Sequence, residues 1–195
     1  MNARHTLLLL GSLMLTRPVL AEISYDYAEL QFGVTTVDVA APLDGDGFGP
    51  LAHVSYQFYG PFYAFGGGNL VDFSKDDLEL INGEFGLGLA QPLGKNASAF
   101  FRVSYLYTEI NSAIRATFDQ DGYGASVGYR AENHTPWEFN ATIDYVNVES
   151  GVEFGAGMSL VYDATRRFGI TGGFSYFDDS ASGFLGARYF FSHKH

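Results

Sequence analysis

The sequence predicts an all-β chain: an antiparallel, up-and-down transmembrane β-barrel of ten strands, with eight strands as the alternative count. Three observations predict it. Hydrophobicity alternates with period two from Tyr25 onward, and no 3.6-residue pattern is sustained. Gly, Pro, Asn and Asp interrupt the alternation at spacings that leave strands near the ~9–11 residues a tilted membrane strand needs. The 195 residues include 18 Phe and 13 Tyr, enough rings to line both interfaces of a membrane barrel. Other classes fall away on composition. There is no cysteine, which excludes a disulfide scaffold or a thiolate metal site. The formal charge of −11 lacks the basic footprint that nucleic acid requires. No stretch after the leader approaches the ~20 apolar residues of a spanning helix.

The chain begins with a leader. In residues 1–21, Arg4 and His5 form a basic start, 7–15 an apolar run, and Pro18 breaks the helix before small residues ending at Ala21. Residues 22–195 then form a single barrel domain, with Glu22 as the mature N-terminus. The ten strands are expected at 25–35, 48–58, 63–73, 78–91, 98–110, 120–131, 137–149, 152–162, 168–178 and 182–191. The clearest is 137–149. There Trp137, Phe139, Ala141, Ile143 and Tyr145 share one face, and Glu138, Asn140, Thr142 and Asp144 the other. In 98–110, Phe101, Val103, Tyr105 and Tyr107 oppose Arg102 and Ser104. In 120–131, Tyr123, Ala125, Val127 and Tyr129 oppose Ser126, Gly128 and Arg130. In the last strand, Leu185, Ala187, Tyr189 and Phe191 oppose Phe184, Gly186, Arg188 and Phe190.

A soluble β-sandwich also alternates, with its apolar face inward. The leader, the aromatics at strand ends and the aromatic last strand together favour the membrane barrel. Tyr59, Phe62, Tyr63, Phe100, Trp137, Phe168 and Tyr189 are expected in one aromatic girdle. Phe73, Tyr107, Tyr123, Tyr145, Phe154 and Tyr176 are expected in the other. An even strand count puts both termini in the periplasm. The periplasmic turns are then 59–62, 91–97, 132–136 and 163–167, and Pro61, Pro92 and Pro136 suit three of them. The longest connections, 36–47 and 111–119, fall on the outside.

The aromatic closing strand 183–191 resembles the last strand of Gram-negative outer-membrane barrels, which the insertion machinery reads. Four residues, 192–195, follow Phe191 where that family usually stops. With Tyr25-Asp26-Tyr27-Ala28-Glu29 and Phe65-Gly66-Gly67, the mature chain is similar to the small single-domain outer-membrane β-barrels. More distantly, it is similar to the small barrels of xanthomonads once proposed as activators of plant immunity. The resemblance implies an outer-membrane location and a monomer. It implies lipid, lipopolysaccharide and the barrel-insertion machinery as partners. It carries over no catalytic residue and no cofactor, and implies a structural or surface role, with a narrow diffusion channel as the alternative.

Few residues suggest chemistry. His53 and Ser55 share a strand face, as in a lipid-A deacylase that uses a His-x-Ser pair, but 63–71 supplies no acid to complete a triad. A lipid-modifying enzyme is therefore the least favoured reading. Asp44-Gly45-Asp46-Gly47 and Asp119-Gln120-Asp121-Gly122 are similar to pieces of calcium loops, yet lack the distal Glu and read first as turns. The Gly66-Gly67-Gly68 run reads as relief of crowding rather than a phosphate loop. Inside the barrel, three acid–Arg pairs are expected: Glu84 with Arg102 about a turn centred near Leu93, Glu138 with Arg130 about His134, and Glu29 with Arg188 across the closing seam. They would fix register and block the lumen. At the outer rim, acids such as Asp72, Glu79, Glu109, Asp119 and Asp178 face only Lys75 and Arg115. Asp44, Asp46, Asp76 and Asp77 are weak calcium candidates there.

Overall fold

The computed structural model describes residues 23–37, 45–73, 78–112, 118–132, 135–149 and 151–191. The leader 1–21, Asp44, Asp76, Asp77, Lys75, Arg115 and the tail 192–195 lie outside the described residues. Ten strands form one closed antiparallel barrel in which each strand pairs with its sequence neighbours, and the first pairs with the last. They are β1 Tyr27–Val37, β2 Gly45–Tyr59, β3 Phe62–Phe73, β4 Leu78–Pro92, β5 Ala97–Ser112, β6 Phe118–Glu132, β7 Trp137–Val148, β8 Gly151–Asp163, β9 Phe168–Phe177 and β10 Ser180–Phe190. The eight-strand alternative is excluded. Closure leaves no sheet edge, which is the condition for a sheet in hydrocarbon.

Two expectations about local structure change. The first strand begins at Tyr27 rather than at residue 25. The two Asp-Gly segments read as turns are largely strand: β2 starts at Gly45, and Asp119–Gly122 is internal to β6. Both strands run beyond the membrane-length estimate, so their polar ends continue the ladder past the hydrocarbon. The glycine run lies within an unbroken β3. Gly67 and Gly68 meet the carbonyls of Ala52 and Asn82 too closely to carry a Cβ.

The alternation resolves into two walls. Leu30, Phe32, Phe85, Leu87, Ile143, Phe174 and Leu185 point outward, with Leu30 67% exposed. A water-soluble sandwich would bury such residues, so the exposed apolar band is the surface of a membrane barrel. Tyr59, Trp137 and Phe168 stand on the outer wall at one end, and Tyr123, Phe154 and Tyr176 at the other. Tyr63, Phe100 and Phe73, expected in the girdles, face inward and are buried. Phe100 shares the face of Arg102 and Ser98, so the pleat itself carries it inward.

Inward-facing rings need room, and glycines supply it. Tyr63 pairs with Gly88 and Phe100 with Gly128 across adjacent strands. A Cβ on either glycine would collide with the ring. The rings therefore lie flat against the neighbouring strand, the arrangement in which an aromatic covers a cross-strand glycine. This keeps them off the barrel axis and leaves the axis to other side chains.

Candidate functional site

The half of the lumen near the chain termini holds the distinctive chemistry. Its first component is the segment that precedes β1. Asp26 forms an elbow at the wall. Its carboxylate accepts from the backbone N–H of Gln57 on β2 at 2.7 Å, and its carbonyl accepts from the N–H of Phe191 beyond β10 at 3.0 Å. Residues 23–25 leave the ladder there and turn inward. Ile23 and Tyr25 are buried with Tyr63, Phe65, Ala90 and Phe100 of β3, β4 and β5. The Tyr25 ring stacks on Tyr63 at 4.6 Å, and its hydroxyl shares a 2.8 Å hydrogen bond with Ser98 Oγ of β5. Arg130 of β6 lies over the same ring at 4.6 Å.

The second component is a chain of charges. Arg130 donates to Glu138 Oε1 at 2.6 Å through Nη2 and at 3.2 Å through Nε. The same oxygen accepts from Arg188 Nη1 at 2.5 Å. Arg188 also donates through Nε to Glu29 at 2.6 Å, and Gln31 donates to the other Glu29 oxygen at 3.1 Å. Four strands, β6, β7, β10 and β1, are joined by this one chain. Arg188 spans from β10 to β7, two strands away from its neighbour, which only a long side chain in a narrow lumen can do. The Tyr27 ring lies beneath both guanidiniums, 4.2 Å from Arg188 and 5.3 Å from Arg130. Such contacts favour a cation held out of water. Glu138 is fully buried, at 0% exposure, as a shared carboxylate with several charged donors can be.

Of the three expected pairs, the structure brings two together. Arg188 and Glu29 are directly opposite across the seam. Arg130 and Glu138 meet diagonally, because Arg130 is opposite Asn140 and Glu138 opposite Glu132. The pairs are not separate rungs, since Glu138 joins them. Glu84 and Arg102 are not brought into an ion pair. The turn between β4 and β5 sets Pro92 opposite Ser98, so its centre is near Lys95 and not Leu93. Arg102 therefore faces Gly88, and Glu84 faces Leu106. Arg102, Ser126 and Asp144 form a row across β5, β6 and β7 instead, with Arg102 3.7 Å from Asp144. Sequence reasoning placed Asp144 on the lumen face but not beside Arg102, and it missed Ser98 and the inward turn of Ile23 and Tyr25. One signal could have found the last. A strand starting at Tyr25 would point Asp26 toward lipid, on the face of Ala28 and Leu30.

His53 and Ser55 do face the lumen, but they form no nucleophile–base pair. Among the described residues, neither the His53 nitrogens nor the Ser55 hydroxyl has a hydrogen-bond partner. The imidazole lies between the rings of Tyr27 and Phe65, at 5.7 and 6.1 Å. At the far rim, Asp46 accepts a 2.7 Å hydrogen bond from Thr36. Tyr105 donates to Asp121 at 2.5 Å and Tyr107 to Glu109 at 2.7 Å. Asp72 is opposite Glu79, and Glu109 opposite Asp119. No group of three or more acids or histidines able to hold a metal ion occurs among the described residues.

No protein-family model matches the sequence, and no curated protein matches it. Solved structures similar to it are bacterial barrels. The KdgM porin is 11% identical with a TM-score of 0.48, covering 84% of this chain and 99% of its own. Neisserial surface protein A is 12% identical with a TM-score of 0.46, covering 86% and 98%. The outer membrane protein OprG from Pseudomonas aeruginosa is 13% identical with a TM-score of 0.46, covering 87% and 98%. The barrel assignment here rests on this chain's own strand pairing and outer wall.

Proposed function

We propose that the chain is a non-enzymatic outer-membrane barrel with a sealed lumen, serving as a structural or surface-presenting element rather than as an open pore. The carrying observation is the buried chain Arg130–Glu138–Arg188–Glu29, which crosses the lumen beside the packed rings of Tyr25, Tyr63 and Phe100. An open channel keeps its charges hydrated along the walls. Here they are tied to one another across the axis, at a desolvation cost that register and closure would justify.

It sits in the outer membrane with the termini on the periplasmic side, and the exposed apolar band supports that placement. The two longest connections, β1 to β2 and β5 to β6, are at the opposite end, as expected of the outer side. Lipopolysaccharide surrounds its outer rim, and the insertion machinery reads the aromatic face of β10. A single copy closes its own sheet, which supports a monomer. The chain's likeness extends to small outer-membrane barrels as a class, and no sequence match ties it to the plant-immunity barrels of xanthomonads.

The diffusion channel is the competing reading. The mature chain, refolded and inserted in a planar bilayer, distinguishes the two. The sealed reading expects no resolved conductance steps at moderate voltage. Steady single-channel steps from the full chain would overturn it.

A further inference from the structure

The seal has two parts that differ in how they are built. The charge chain occupies the side of the lumen formed by β6, β7, β10 and β1, and all its members project from strands. The β3–β5 side is filled by Ile23 and Tyr25, which belong to no strand. In a ring of ten strands, β6 stands diametrically opposite β1. Tyr25 starts beside β1 yet bonds to Ser98 of β5 and lies under the Arg130 guanidinium from β6, so this short segment reaches across the mouth to the β5 wall. The wall rings lie flat against Gly88 and Gly128 and do not fill the axis themselves. Ser98, under the Tyr25 hydroxyl, is 0% exposed. Farther in, Arg102 remains partly exposed.

We infer that residues 23–25 are a displaceable plug, hinged at Asp26, whose withdrawal opens the β3–β5 side of the lumen to small ions. The inference rests on the sealed reading above. Among the described residues, the contacts that tie the plug to the barrel wall include one hydroxyl pair, two ring contacts of Tyr25, one cation–ring contact and the burial of Ile23. Opening the charge chain would expose buried ions and pull on four strands. Local opening follows the cheaper route. The passage so formed is bounded by Tyr63, Phe65, Ala90, Ser98, Phe100 and Arg102.

The test uses the mature chain, a variant lacking residues 22–25, and the double substitution Ile23→Ser with Tyr25→Ser. The last keeps the chain length should the deletion fail to insert. Folding is read from the mobility of unboiled against boiled protein on a gel. Two readouts follow. One is conductance in a planar bilayer. The other adds Ser98→Cys to each chain, which has no other cysteine, and follows modification of that thiol by a small charged reagent. The full chain should be silent and its introduced thiol protected. The folded plug variants should show conductance steps, and their labelling should be faster by about tenfold or more. Folded plug variants that stay silent would overturn the inference, whether or not labelling rises, and leave the sealed reading standing. A full chain that already conducts would instead overturn the sealed reading.

Discussion

The two halves of the lumen are built by opposite means. In the half near the termini, side chains bond across the axis: Arg188 to Glu138, Tyr25 to Ser98, and Arg130 over Tyr25 and Tyr27. In the far half, short side chains bond along the wall to the adjoining strand. Thr35 pairs with Ser182 at 2.9 Å, and Thr108 donates to Asn82 at 2.9 Å. The first arrangement braces strands that are not neighbours, and the second only reinforces a ladder that already exists. The bonded near-half side chains are buried, while the hydrogen-bonding ones of the far half are half-buried and within reach of water. A lost contact should therefore be costly in one half and readily replaced by solvent in the other.

The largest effect is expected at Glu138. Glu138→Ala removes the acceptor shared by Arg130 and Arg188, which strands Arg130 and leaves Arg188 with Glu29 alone. Breaking one buried pair costs roughly 3–5 kcal/mol, and here Arg188 also loses one of its two carboxylates. Urea unfolding in phospholipid vesicles should show a large drop in midpoint, or the variant should fail to fold. A drop no larger than that of a far-half variant would break the distinction between the halves.

Next come the glycines beneath the rings. Gly128→Ala forces Phe100 off the wall into a filled lumen, an overpacking cost of about 1–3 kcal/mol. Gly83→Ala is the control, because a Cβ there meets nothing within 4 Å. It should leave the unfolding midpoint nearly unchanged. Equal losses at the two positions would mean that strand propensity, and not ring packing, selects these glycines.

The same contrast explains what the sequence discloses. Strand positions and faces were legible wherever one face is polar, as in 137–149, where Glu138, Asn140, Thr142 and Asp144 mark the lumen. β3 was not legible in this way. Tyr63, Phe65, Val71 and Phe73 face inward, while Phe62 and Leu70 face outward, so both of its faces are apolar. The missing polar signal led Tyr63 and Phe73 to be read as girdle residues. Paired charges were legible where the seam fixes register, as with Glu29 and Arg188. Where a turn centre had to be guessed, Arg130 and Glu138 still meet diagonally, but Glu84 and Arg102 do not. The two-position error at Lys95 moved the partner of Arg102 from Glu84 to Asp144. The inward turn of Ile23 and Tyr25 is a tertiary choice. Tyr25 keeps the period of Tyr27, and only the unsuitable outward direction of Asp26 speaks against a longer strand.

The smallest effect is expected at the far-half seam. Thr35 and Ser182 are directly opposite on β1 and β10, where the barrel closes. A place at the closure invites the expectation that this pair matters more than other wall contacts. Their backbones are already joined by the ladder, however, and both side chains are only partly buried. Thr35→Val keeps the β-branched shape and removes one hydroxyl; Ser182→Ala removes the other. Each should cost no more than about 0.5–1.5 kcal/mol, because water can satisfy the hydroxyl left behind. A double-mutant cycle on Thr35 and Ser182 should then return a small coupling, beside a much larger one for Glu138 and Arg188 measured in the same vesicles. Comparable couplings would show that position at the seam, and not bonding across the axis, sets the strength of these contacts.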